Sequence, residues 1–134
     1  MSLKHFIATY FNNHAETNEN HWNTALQTHY YKTTKEKGLQ EIEMFFRQKD
    51  GYDVHSISRE HGEISVNVRK GRKAFIIVTV IMVRPYQTAI DLTVTSDSFF
   101  PLDFGYCTKC IKQLYRSWNQ LLPLVDSYDY RKRG

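Results

Sequence analysis

Two cysteines at C-x-x-C spacing, Cys107 and Cys110, are the residues whose type and spacing most directly suggest chemistry. Such a pair can form a dithiol redox centre, since a helix N-terminus lowers the pKa of a thiol, or it can supply half of a zinc site. A stripe at helical spacing that continues through Ile111, Leu114 and Trp118 includes both cysteines. We therefore expect buried, reduced, metal-free thiols that react slowly, with a dithiol enzyme as the alternative.

Four histidines lie in the N-terminal third of the chain, at His5, His14, His21 and His29. A metal site needs ligands that converge at fixed spacing, and no two of these histidines are three or four residues apart. The sequence also lacks a nucleophile elbow, a glycine-rich phosphate loop and an H-E-x-x-H motif. We predict that the chain holds no metal or cofactor, has no catalytic residues and is not an enzyme.

Two clusters of basic residues favour contact with polyanions, and the chain has a net charge of +4. Four charges on a tight turn can contact phosphates, but charged hairpin tips also prevent sheets from pairing edge to edge. No known nucleic-acid-binding motif accompanies the clusters. They comprise Arg69, Lys70, Arg72 and Lys73 in a predicted hairpin turn, and Arg131, Lys132 and Arg133 in the C-terminal tail.

The sequence predicts two amphipathic helices, the second of which contains the two cysteines. The first spans 34–49, with Thr33 as N-cap in a capping box that Glu36 completes, and Gly51 follows its end. The second contains the cysteine stripe, starts at Asp103 as N-cap and ends before Pro123.

Strand patterns fill the chain between the two helices, and a weaker strand pattern precedes the first helix. Alternating or continuous apolar residues predict strands at 52–58, 64–68, 74–83 and 90–95, and a weaker pattern lies at 26–32. Short connections make neighbouring strands antiparallel. The predicted fold is therefore α+β, with a four- or five-stranded antiparallel sheet that carries two helices on one face.

The chain of 134 residues suits a single domain, 1–134. We expect an N-terminal arm over 1–25 with a short helix at 6–11 and a loop from residue 12, a core over 26–125, and a mobile basic tail over 126–134. We also expect a cytoplasmic protein without a membrane span, because no secretory signal is visible and the longest apolar run is about half of what a spanning helix needs.

The strand at 74–83 is apolar on both faces, so two helices on one side leave one of its faces uncovered. We predict that the uncovered row consists of Ile76, Val78, Val80 and Met82. The N-terminal segment, 1–24, is the favoured cover, and a second copy of the chain or an apolar ligand are the alternatives. On the next strand, alternation predicts that Asp91 faces water.

The residues from about 26 to 122 resemble a family of small, uncharacterised bacterial domains of unknown function. The resemblance rests on Tyr31 at a strand end, on 95–98 (Thr-Ser-Asp-Ser), and on Asp103-Phe104-Gly105 before the last helix. The family has an acidic pair in its third strand, where this chain has only apolar residues at 75–78. The resemblance implies an intracellular, non-catalytic domain of this fold and no particular activity.

These observations predict a non-catalytic module that binds a ligand or a protein, with a homodimer or another protein partner contacting the sheet face. The alternative function is weak, non-specific nucleic-acid binding through the basic hairpin and the tail.

Overall fold

The computed structural model describes residues 14–71, 73–96 and 103–125. The helix predicted at 6–11, the basic tail, Arg72 and the proposed cover of the sheet by 1–24 lie wholly or largely outside these ranges. The described residues form two α-helices, α1 (Lys35–Gln48) and α2 (Asp103–Leu121), and a short 3-10 helix spans Thr24–Leu26. The seven strands are β1 (His14–Glu16), β2 (His29–Tyr31), β3 (Tyr52–Ser58), β4 (Glu63–Val68), β5 (Ala74–Arg84), β6 (Gln87–Ser96) and β7 (Leu124–Val125).

All seven strands belong to one antiparallel sheet. Its order is β3-β4-β5-β6-β2-β7, and β1 also pairs with β6, on residues 93–95. The α+β class is confirmed, but the predicted count of four or five strands is wrong. The additional strands, β1 and β7, have three and two residues. Segments of two or three residues are too short to show an alternating pattern. They pair because the neighbouring strands already form a sheet.

Helix α1 and its N-cap begin one residue later than predicted. Thr34, rather than Thr33, is the N-cap, and its side-chain oxygen accepts a hydrogen bond from the amide of Lys37. The backbone carbonyl of Thr33 instead accepts the hydroxyl of Thr88 at 2.6 Å, which ties the start of α1 to β6. The cap thereby satisfies one of the amides that the first helical turn leaves free.

One continuous core joins both helices to the sheet. Leu39, Ile42 and Phe46 of α1 and Ile111 and Trp118 of α2 are all buried. The rings of Phe46 and Trp118 meet edge to face, with centroids 5.9 Å apart and planes at 84°. Edge-to-face packing is a favoured geometry for aromatic pairs and fixes the contact between the helices.

The row of β5 that was predicted to be uncovered contributes to this core instead. Ile76, Val78 and Val80 are at most 1% exposed, while Met82, beyond them, is 48% exposed. Directly paired residues share a face of a sheet. Ile76 is paired with Val66 and Val94, and Val78 with Ile64 and Leu92, so this row belongs to the apolar side of three strands. The opposite row, with Phe75, Ile77, Ile81 and Val83, is half-buried or exposed.

Candidate functional site

Exposed apolar side chains cluster where β5 and β6 meet, in the segment 81–86, which we call the hairpin end. Ile81 is 50% exposed, Met82 48%, Val83 39% and Tyr86 69%. Ile81 continues the outer row of β5 and Met82 continues the row beneath the helices, while Val83 lies where the register between β5 and β6 shifts. The hairpin end is therefore apolar on both faces, in contrast to a strand whose outer face is adapted to water.

Among the described residues, no strand pairs with one backbone edge of the hairpin end. Strand β4 begins at Glu63, opposite Thr79, and the amide of Val80 donates to the carbonyl of Gly62 at 2.7 Å. Beyond Val80, the described residues pair with β5 only from the β6 side. Because backbone groups alternate in direction along a strand, the N–H and C=O of Met82 lie on the same open edge as the Val80 amide.

Gly62 sets the point at which β4 separates from β5. Its φ is +67°, and a Cβ atom there would lie 2.3 Å from the carbonyl oxygen of Val80. Only glycine combines this backbone conformation with so close an approach.

The turn at the hairpin end contains a strained tyrosine. Pro85 and Tyr86 connect β5 to β6, and Tyr86 has a φ of 59°. A positive φ costs a residue with a Cβ about 1–2 kcal/mol, and such strain is often kept where it serves binding. Tyr86 was not among the residues predicted to be functional. The preceding proline was its one signal in the sequence, since proline followed by a positive φ is typical of a type II turn.

The basic hairpin between β4 and β5 is partly neutralised by acidic neighbours. Arg69 forms an ion pair with Asp53 at 2.6 Å, and Lys70 lies 3.6 Å from Asp50. Lys73 is exposed, and no ion pair joins it to a described carboxylate. The remaining predicted contacts, Arg72, Arg131, Lys132 and Arg133, are outside the described residues.

The two cysteines occupy different environments on α2. Cys107 is completely buried in the core, and Cys110 is half-buried beside Tyr106. Burial raises the pKa of the Cys110 thiol, although the hydrogen bond with Tyr106 and the charge of Lys109 oppose this effect. A raised pKa lowers the thiolate fraction, and the thiolate is the nucleophilic species. Neither of these two cysteines forms a disulfide.

Of the four N-terminal histidines, His21 and His29 have described side chains, and each has its own hydrogen-bond partner. His21 Nδ1 accepts the amide of Asn23 in a local turn, while His29 lies on β2; His5 and the side chain of His14 are outside the description. The part of the chain that the structure describes contains no group of three His, Cys, Asp or Glu side chains able to hold one metal ion.

A serine–histidine contact occurs in the turn between β3 and β4. Ser58 Oγ lies 2.8 Å from His61 Nδ1, and the amide of His61 also donates to this hydroxyl. The contact is exposed, and among described residues no carboxylate orients the imidazole. It therefore has the geometry of a local turn, because a catalytic pair needs a third group that holds the base.

Asp91 is half-buried, not a solvent-facing residue as predicted. One oxygen of its carboxylate accepts the hydroxyls of Thr17 at 2.7 Å and Thr28 at 2.6 Å. Strands β1 and β2 lie end to end along β6, and Asp91 lies at the gap between them. The carboxylate therefore links the residue that follows β1 to the residue that precedes β2, across the gap between these two strands.

No family model, curated protein or solved structure was found to match this chain. The resemblance to uncharacterised bacterial domains consequently stays a prediction. Among the described residues, neither helix has the length and apolar character that crossing a bilayer requires.

Proposed function

We propose that this domain is a non-catalytic interaction module that pairs with a second copy of itself at the hairpin end. The observation that carries the proposal is the open edge of β5, which is apolar on both faces between Val80 and Arg84. Natural proteins usually protect such an edge with charges, proline or a covering segment. Addition of a partner strand would pair the open backbone groups and cover the apolar side chains together.

The edge is complementary to itself. A twofold axis beside Met82 pairs it antiparallel with its own copy, which sets Ile81 of each copy opposite Val83 of the other.

The strength of the pairing follows from the exposed side chains. Covering a half-exposed apolar side chain contributes about 1 kcal/mol, and two copies bring eight of them. Association costs at least about 4 kcal/mol, so at most roughly 4 kcal/mol remains from these side chains. That remainder alone corresponds to a dissociation constant of about 1 mM or weaker, the strand hydrogen bonds would tighten it, and the dimer should depend on concentration.

Sedimentation velocity over a wide range of protein concentration tests the proposal. The wild-type chain should shift toward a dimer as concentration rises, and Met82→Lys should stay monomeric because it places a charge in the new strand pair. Met44→Lys is the matched control, since Met44 is 43% exposed on α1, away from the hairpin end. A wild-type protein that is monomeric throughout, or equal loss of the dimer in both variants, would contradict the proposal.

Weak, non-specific nucleic-acid binding is the second candidate function. Arg69, Lys70 and Lys73 are exposed at one hairpin tip, which favours it, while the ion pairs with Asp53 and Asp50 weaken it. Fluorescence anisotropy with a labelled single strand should show binding that decreases with salt, with a slope of about −0.7 for each phosphate contact. Sequence-selective binding at physiological salt would contradict this reading.

A further inference from the structure

A groove between β2 and the second half of α2 lies apart from the hairpin end. It encloses about 440 Å³, within the usual size range of small-molecule sites. Its lining combines an aromatic wall with amide and cationic side chains: Ala25, His29, Lys112, Tyr115, Arg116, Asn119 and Gln120.

The wall of the groove is held in place by stacking and hydrogen bonds. The rings of His29 and Tyr115 stack face to face, with centroids 3.6 Å apart and planes within 5°. The buried hydroxyl of Tyr115 donates to the carbonyl of Ile90 at 2.6 Å, which anchors the stack to β6. A rigid wall lowers the ordering cost of binding, because the groove does not have to form around its ligand.

Asn119 fixes the orientation of His29. The side-chain oxygen of Asn119 accepts the hydroxyl of Tyr31 at 2.6 Å and lies 3.3 Å from His29 Nδ1. That oxygen can only accept, so a hydrogen bond at the second contact requires a proton on His29 Nδ1. Burial lowers the pKa of His29, which favours the neutral form. With its oxygen occupied, Asn119 retains the two N–H donors of its amide for a ligand.

Two cations lie at the mouth of the groove without acidic partners. Lys112 and Arg116 are one helical turn apart on α2, and both are exposed. Within the described ranges, neither side chain forms an ion pair with a carboxylate. This contrasts with Arg47, Arg59 and Arg69, each of which contacts an acidic side chain.

We propose that this groove binds a phosphate group, either inorganic phosphate or the phosphate of a monoester. A phosphate monoester is close to a dianion at neutral pH, and Lys112 and Arg116 supply two matching positive charges. The planar guanidinium of Arg116 can hold two phosphate oxygens at once, while Lys112 acts as a compact charge. The amides of Asn119 and Gln120 complete the donors, and the body of a monoester can rest on the His29–Tyr115 wall.

Titration of the full chain with inorganic phosphate, followed by nuclear magnetic resonance at constant ionic strength, tests the site. The signals of His29, Lys112, Arg116 and Asn119 should move together and saturate. A parallel titration with methyl phosphate distinguishes the two sources: tighter binding than inorganic phosphate indicates a monoester ligand, and weaker binding indicates the free ion.

Two double variants distinguish binding of phosphate in the groove from its general attraction to a positively charged protein. Lys112→Gln combined with Arg116→Gln should weaken binding at least ten-fold, since the two side chains supply the charge-assisted hydrogen bonds to the phosphate. Lys73→Gln combined with Lys109→Gln removes the same charge from exposed positions outside the groove and should leave the affinity within two-fold. Shifts that do not saturate, or equal weakening in both double variants, would overturn the proposal.

Discussion

Removal of the Asp91 carboxylate should destabilise the domain more than removal of an exposed carboxylate does. Asp91 is the common acceptor for Thr17 and Thr28, whose side chains come from the two ends of the 17–28 connection. Thr17 is further tied to β6, because its amide donates to the carbonyl of Leu92 and its hydroxyl accepts the amide of Leu92. In Asp91→Ala, both threonine hydroxyls lose their acceptor while they remain buried.

The expected magnitude follows from these two contacts. A hydrogen bond to a charged group contributes about 1.5–3 kcal/mol, and Asp91 is only partly buried, so the lower values apply. Asp91→Ala should therefore lower the free energy of unfolding by about 3 kcal/mol. Asp53→Ala is the control: its carboxylate is 51% exposed, and surface ion pairs of that kind contribute about 0–1 kcal/mol.

Urea denaturation of a double-mutant cycle measures the coupling directly. Thr28→Val keeps the shape of the side chain and removes its hydroxyl, so the cycle of Asp91→Ala with Thr28→Val isolates one hydrogen bond. We expect a coupling energy of about 1.5 kcal/mol. If the two changes are additive, or if Asp91→Ala costs no more than Asp53→Ala, then Asp91 does not close the sheet as the geometry indicates.

Three further outcomes are expected. Gly105→Ala should stabilise the protein by about 0.5–1 kcal/mol in urea denaturation, because the site is helical and open, while Gly71→Ala should destabilise it, because Gly71 has a φ of +80°. Thr34→Ala should cost about 1 kcal/mol through loss of the α1 cap in the same assay. In alkylation kinetics without denaturant, Cys110 should react more slowly than a free thiol at the same pH, and Cys107 should react only on unfolding; rapid modification of either would show the thiols to be accessible.

The long elements could be predicted because their patterns are local. Leu39, Ile42 and Phe46 repeat at helical spacing, so the sequence places α1 within one residue of its observed bounds. The alternation of Ile64, Val66 and Val68 likewise defines β4. The cap was misplaced by one residue because Thr33 and Thr34 are adjacent and equally suited to the role.

The choice of buried row on β5 could not be made from that strand alone. Both of its rows are apolar, and a shift of one residue exchanges them. The pairing of Ile76 with Val66 and Val94 decides the matter, and that register is a property of three strands together. On β6, alternation predicted that Asp91 faces away from the helices. It could not show that the hydroxyls of Thr17 and Thr28 would donate to the Asp91 carboxylate.

The unequal lengths of β4 and β5 give the apolar run of β5 two different roles. The run was interpreted as one central strand, and from Ala74 to Thr79 it is central, with β4 on one side and β6 on the other. After Gly62 turns the chain away, the same run continues as an edge. Residues with the composition of a buried strand therefore reach solvent from Ile81 onward. The sequence of β5 suits a strand that has a neighbouring strand on each side, but beyond Val80 the described residues supply a neighbour on one side only. We therefore expect a second copy of the chain to supply the other neighbouring strand.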